Sequence, residues 1–353
     1  MDIRNMIYNF YKTEGCRVTL TQIQEKLITE YDFSGKRTSL YTIIKKLGFR
    51  WRKTKNNQRV LIEKTDIRAI RLNYLDKIKY YRSQGRPIVF FDETYIHAGI
   101  RSNSWTDNTG NGLLSTISKG NGLVIVHVGG EMGFIPNCML IFKSGTKSGD
   151  YHDHDHMNTQ NYEEWLTEKL IPNLPPNSVV VTGNAPYHNV QVQKAPTCNS
   201  RKTDMVDWLI SKNIPFSPNL LKPQLYEIIK HNKKQHIVYK FDRLLQENGH
   251  VALRLPPYHP DLNPIEMVWA QVKNSVAKKN VLFKLEAVKT LTEEEFLSVT
   301  VEDWMKCCQD VVKVEDNYLQ NEIRVDMVVE DLIITASDSE SSTGEDDFEN
   351  LSD

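Results

Sequence analysis

The stretch RPIVFFDETY, residues 86–95, decides how this chain is read. Ile88 to Phe91 form an unbroken apolar run with β-branched members, the pattern of a strand buried on both faces rather than one. Such strands sit inside parallel or mixed sheets with helices on each side, and their ends form the rim where functional sites gather. The run ends on Asp92. A carboxylate after four apolar residues is costly unless it is paired, hydrogen-bonded or bound to a metal. A satisfied structural aspartate at a strand end would fit equally well, so Asp92 needs companions to mean more.

Reading outward, two further strands are expected in GLVIVHVG (122–129) and FIPNCMLIFK (134–143), with glycines between them suited to hairpin turns. NTQNYEEWLTEKLI (158–171) offers Asn158 as an N-cap and helical spacing of Tyr162, Trp165, Leu166 and Leu170. A strand in SVVVT (178–182) follows. Then come helical patterns in DMVDWLISKN (204–213), KPQLYEIIKHNKK (222–234) and YKFDRLLQENG (239–249), a strand in HVALRL (250–255) and a helix from near Pro264. That order predicts an α/β domain, a mixed sheet with helices on both faces, compatible with a ribonuclease-H-like fold.

Ahead of it, LTQIQEKLITEY (20–31) is amphipathic, and SLYTIIKKLGFRW (39–51) opens on Ser39 as a candidate N-cap and closes around Gly48. This outlines a small all-α helix-turn-helix region, winged-helix-like because FRWRKTKNNQRVLIEK (49–64) suits a strand pair. Residues 35–60 carry nine basic side chains and no acidic one. Lys36, Arg37, Lys45, Lys46, Arg50, Arg52, Lys53, Lys55 and Arg59 are therefore candidate DNA-binding residues. A solvated basic face would look the same from charge alone. DIRAIRLNYLDKIKYYRSQ (66–84) reads as a linking helix.

The net charge of −1 conceals this asymmetry, because residues 337–353 hold seven acidic residues and no basic ones. That stretch reads as a disordered acidic tail. Hydrophobic and charged contents of 40% and 25% are ordinary for a globular chain. Five cysteines without a Cys-x-x-Cys pair argue against a disulfide framework or a zinc ribbon. No apolar run approaches a membrane span, and the first residues lack a signal core. Nucleus or cytosol is the expected setting, with no membrane partner.

Glu266 lies in PPYHPDLNPIEMVW (256–269). Asn263 as N-cap, Pro264 at the first helical position and Glu266 at the third would make a capping box, which explains Glu266 without any function. It does not explain the proline-rich approach with Tyr258 and His259 directly after a strand.

Taken together, FDET (91–94), GNAPYH (183–188) and PPYHPDLNPIEMVW resemble the three catalytic blocks of the DDE transposases of the Tc/mariner superfamily. The loop DYHDHDHMNTQNYEEWL (150–166) is similar to one in insect members. The resemblance spans roughly residues 35–310. It implies a ribonuclease-H-like body in which three acids bind two divalent metals, Mg2+ or Mn2+, for cleavage and transfer of DNA strands at transposon ends. It also implies double-stranded terminal repeats as the partner, a homodimer, no small-molecule substrate and a nuclear location. Asp92 matches the first acid and Glu266 the third, both as metal ligands. The second acid opens the family's DNAPYH block, and here that place is Gly183. Cleavage is expected to be impaired or absent, since hydrated magnesium tolerates little loss of charge and geometry. Asn184, one residue along, would face the opposite side. A glycine tolerates positive φ, so the fold should persist. The alternatives are a catalytically inactive DNA-binding or dimerising scaffold and an active transposase with a substitute ligand.

The implied organisation is 1–64 helix-turn-helix, 65–85 linking helix and 86–312 catalytic domain with a helical insert at about 200–248. A C-terminal extension (313–336) and the acidic tail (337–353) follow. Family members usually carry two helix-turn-helix units, and the head here is shorter than that. The HDHDH run at 152–156 could tempt a zinc assignment, but alternation in an extended loop throws neighbours to opposite sides. Trp105, Trp165, Trp208 and Trp269 are expected in the core, Trp269 on nearly the same helix face as Glu266.

Overall fold

The computed structural model describes residues 3–14, 18–53, 59–101, 122–144 and 159–332. Asn158, Trp105, Cys16, Lys55, the HDHDH run and the acidic tail lie outside the described residues, as do the side chains of Lys53 and Arg59. The chain divides into two compact units, one of residues 1–69 with 316–353, the other Ile70–Glu315.

The first unit contains α1 (Ile3–Glu14), α2 (Leu20–Tyr31), α3 (Arg37–Lys46), and an antiparallel hairpin of β1 (Phe49–Lys53) and β2 (Arg59–Glu63). Thr19 caps α2 through a capping box, its hydroxyl accepting from the Gln22 amide while the Gln22 side chain accepts from the Thr19 amide. The helix stops at Asp32, whose φ is 52°. α3 starts two residues before Ser39: the Lys36 carbonyl already accepts from the Leu40 amide at 3.1 Å, so Ser39 lies inside the first turn and caps nothing. Leu20, Ile23, Leu27, Leu40, Ile44, Phe49 and Leu61 are buried. Among them sits Glu63, buried at the end of the hairpin and held by the Arg4 guanidinium and the Tyr8 hydroxyl.

The second unit is built on a six-stranded mixed sheet. Its strands are β3 (Ile88–His97), β4 (Gly122–Gly130), β5 (Gly133–Phe134), β6 (Leu140–Lys143), β7 (Val179–Thr182) and β8 (Val251–Arg254). The order is β5-β4-β3-β7-β8, with β6 also on β4; β3 is antiparallel to β4 and parallel to β7, which is parallel to β8. This is the ribonuclease-H-like arrangement anticipated from the sequence. The single strand expected over 134–143 is divided into β5 and β6 along one edge of β4. Pro136 has no amide to donate and Asn137 turns with φ of 60°, so the ladder is interrupted there.

α4 (Thr65–Ser83) leads into the sheet. α5 (Thr159–Trp165) continues through a π-helical turn (Leu166–Leu170) into α6 (Ile171–Asn173). α7 (Lys202–Ser211), α8 (Lys222–Asn232) and α9 (Lys240–Glu247) lie between β7 and β8, and α10 (Pro264–Lys279), α11 (Leu285–Ser298) and α12 (Val301–Leu332) follow. On one sheet face Val89, Phe91, Val126 and Val180 pack with Tyr162, Trp165, Leu170, Phe241 and Leu245. On the other, Trp269 and Trp304 are buried, Trp269 against Phe296 and Trp304 against Phe134. Trp165, Trp208 and Trp269 are thus core residues, as read from the sequence.

Removing one partner of a buried ion pair leaves the other charge stranded. Glu63→Ala should therefore lower the unfolding free energy by about 3–5 kcal/mol, measured by urea denaturation. A loss below ~1 kcal/mol would mean that Arg4 finds other compensation.

Candidate active site

Alternation along β3 sorts its side chains. Val89 and Phe91 enter the aromatic core under α5 and α9, so Asp92 points to the opposite face, toward α10. Glu266, in the first turn of α10, meets it there, and the two carboxyl groups share a hydrogen bond. Sequence reading named both residues, and the fold brings them together from opposite ends of the unit. The capping box is not formed. Asn263 makes no side-chain cap hydrogen bond, and Glu266 is engaged by Asp92 instead.

Burial, followed by the negative charges of Glu93 and Glu266, pushes the Asp92 carboxyl up to about 8. The pair therefore holds a proton between two oxygens that would otherwise repel. Lys273, two helical turns beyond Glu266, is half-buried within the field of both carboxylates; burial lowers its affinity for a proton and the two acids oppose that shift. This lysine escaped the sequence reading, although its spacing of seven from Glu266 was the available signal.

β7 delivers Gly183 beside Asp92. The last paired residues of the two strands are Phe90 and Val181, and Asp92 and Gly183 each stand two residues further on. Val180 faces the aromatic core, so the alternation turns the Gly183 position to the Asp92 side. A Cβ built on Gly183 meets nothing within 4 Å. Its φ is not among the positive ones, so the tolerance that glycine offers is not called on here. Asn184 does not fill the place: its amide donates to the Leu255 carbonyl at 2.8 Å.

His188 holds this turn from behind. It is 1% exposed, with Nδ1 at 3.1 Å from both the Thr182 hydroxyl and the Gly183 carbonyl, and Nε2 at 3.3 Å from Glu93 Oε1. Its ring packs against Phe91 and Tyr162. One ring nitrogen thus faces the end of β7 and the other faces Glu93 on β3.

Asp92 and Glu266 fit one small divalent cation, because magnesium keeps water ligands and is commonly held by one or two carboxylates plus substrate phosphate. Among the described residues no group of three or more His, Cys, Asp or Glu side chains is arranged to hold a metal. The basic residues of the other unit take positions suited to a winged helix-turn-helix: Lys36 and Arg37 at the start of α3, Lys45 and Lys46 exposed in its last turn, Arg50 and Arg52 on β1. Cavities of about 470 and 630 Å³ lie elsewhere, lined by neither Asp92 nor Glu266. No helix among the described residues is long and apolar enough to cross a membrane.

Residues 139–289 match the family described as DDE superfamily endonuclease. The matched stretch includes Gly183 and Glu266 and begins after Asp92. No curated protein matches the chain. Among solved structures it is similar to the Mos1 strand transfer complex, at 17% identity and a TM-score of 0.42, over 93% of this chain and 78% of that one. It is likewise similar to the Mos1 transposase paired-end complex with left transposon end, at 16% identity and a TM-score of 0.42, over 93% and 79%. For the catalytic domain of Mos1 mariner transposase the values are 15% and 0.38, over 76% and 95%.

Asp92 stays protonated in the folded protein up to about pH 8, whereas an unfolded aspartate ionises near about 4. The stabilisation from that bound proton is full below the lower value and is lost as pH rises through the higher one. In chelator-treated protein the melting temperature should fall across this window. Asp92→Asn, neutral throughout, should flatten the fall; an equally steep decline in the variant would dismiss the shared proton.

Proposed function

We propose that this protein is a duplex-DNA-binding member of the DDE endonuclease type, of Tc/mariner descent, whose strand-cleaving centre is crippled at one corner. The reading rests on one observation: Asp92 and Glu266 converge at the rim of a ribonuclease-H-like sheet, while the neighbouring strand ends there on a residue with no side chain. The family match over residues 139–289 supports the reaction class. Asp92 and Glu266 would hold a single Mg2+ or Mn2+. Bound there, such an ion supplies Lewis acidity toward a phosphodiester oxygen and lowers the pKa of water. The protein's own part is to fix two carboxylates at one point, with His188 and Glu93 bracing the strand ends behind them and Lys273 offsetting their charge.

The same reading makes Gly183 the limiting residue. For Gly183→Asp there is room for the Cβ and no positive φ to strain it. It should raise Mg2+- or Mn2+-dependent nicking of supercoiled plasmid by at least about 10-fold, since a missing charge-stabilising group costs about 10²–10³ in rate, and increase the thermal shift on adding Mn2+. Efficient nicking by the wild type, unaltered by Gly183→Asp, would point to an active enzyme with a substitute ligand and sink the proposal.

DNA binding is assigned to the helix-turn-helix head. Neutralising Lys45, Lys46, Arg50 and Arg52 together should weaken duplex binding and reduce the slope of log affinity against log salt by roughly 0.9 for each phosphate no longer neutralised. An unchanged slope would remove the head from the interface.

A further inference from the structure

A parallel β7-to-β8 crossover needs only one helix, and α9, packed against the sheet through Phe241 and Leu245, supplies it. The chain nevertheless inserts α7 and α8, which fold on each other around a small core of their own: Met205, Trp208, Leu209, Leu225 and Ile229. This addition differs from its surroundings in charge. Residues 191–240 contain nine lysines and arginines against three acids, Asp204, Asp207 and Glu227. Lys240 pairs with Glu163, and Lys230 makes an exposed, long pair with Glu227 at 3.6 Å. Lys233 and Lys234 form no ion pair among the described residues.

Lys230, Lys233 and Lys234 stand at i, i+3 and i+4, running from the end of α8 into the 3-10 turn Lys233–His236. Lys230 and Lys234, four apart, point away from Leu225 and Ile229, which face the small core, while Lys233, four after Ile229 and half-buried, borders that side. Lys230 and Lys234 are exposed, and His231 beside them is too. No aromatic residue is exposed on α8, so the surface offers charge without a stacking platform, which suits a phosphate backbone rather than unstacked bases.

The insert is anchored at the candidate site. Its two ends are stapled together where it leaves and rejoins the body: Val192 N donates to Val238 O at 2.9 Å and Lys240 N to Val190 O at 2.8 Å. Arg254, at the end of β8, ties that root to the turn behind Gly183. Its guanidinium donates to Asn189 Oδ1 at 3.0 Å, to the His188 carbonyl at 3.2 Å and to both carboxylate oxygens of Asp242, and it stacks over Tyr239. The basic arm is thus rooted in the turn that follows Gly183.

We infer that the insert, through Lys230, Lys233 and Lys234, is a second nucleic-acid surface that grips the phosphate backbone of duplex DNA without reading its sequence. This rests on the proposed function, in which DNA is the molecule brought to Asp92 and Glu266. The full chain carrying Lys230→Gln, Lys233→Gln and Lys234→Gln is to be titrated with a fluorescent duplex across a range of salt. Its salt slope should fall by about 2–3, and its affinity near ~50 mM salt by about 10-fold or more. The triple Lys→Arg variant should keep the wild-type slope. An unchanged slope in the Gln variant, at unchanged melting temperature, overturns the inference. If the wild type binds and only the head substitutions lower the slope, the insert is excluded while the proposed function stands. If the wild type fails to bind duplex DNA at low salt, the proposed function falls and takes the inference with it. Tighter binding of duplex RNA than of duplex DNA at every salt concentration would refute the choice of partner.

Discussion

The site depends on β3 being covered on both faces. Phe91 is locked among Tyr162, Trp165, Phe241 and the His188 ring, and a one-residue slip would drive that ring into the face where Asp92 meets Glu266. Register is therefore set by aromatic packing, and the carboxylate is placed as its consequence. The same alternation puts Glu93 behind the site, where His188 takes it, and keeps it off the face that Asp92 and the Gly183 position share.

A carboxyl pair that holds a proton against burial is a local cost, and the surrounding structure has to impose it. His188, bonded to Thr182, Gly183 and Glu93, joins the ends of β7 and β3. Arg254 joins the following turn to β8 and α9. Neither side chain reaches the face on which Asp92 stands, yet both hold fixed the backbone from which the reactive positions project. Such bracing is what a preorganised site requires of its second layer of residues.

Much of this was legible in the sequence because the deciding signals are local. The apolar run before Asp92 and the proline approach to Glu266 are each spelled within a few residues. What the sequence concealed depended on distance or competition. Asn263 and Glu266 spell a capping box, but the pull of Asp92, far off in the chain, wins Glu266. Ser39 looks like a cap, but the Lys36 carbonyl starts the helix earlier. FIPNCMLIFK has a strand's composition, and only the turn at Asn137 divides it. α11 and the long α12 carried no motif and went unread. Lys273 has meaning only once Glu266 is placed against the sheet.

Gly183 has neither been exploited by the backbone nor closed over by its neighbours. Here the space stands open and the chain adopts a conformation any residue could take. Glycine and aspartate codons can differ by a single base, so an acid at this position is one mutational step away, with room for its Cβ already present. Seen this way, position 183 is a place where the scaffold leaves the choice of residue open.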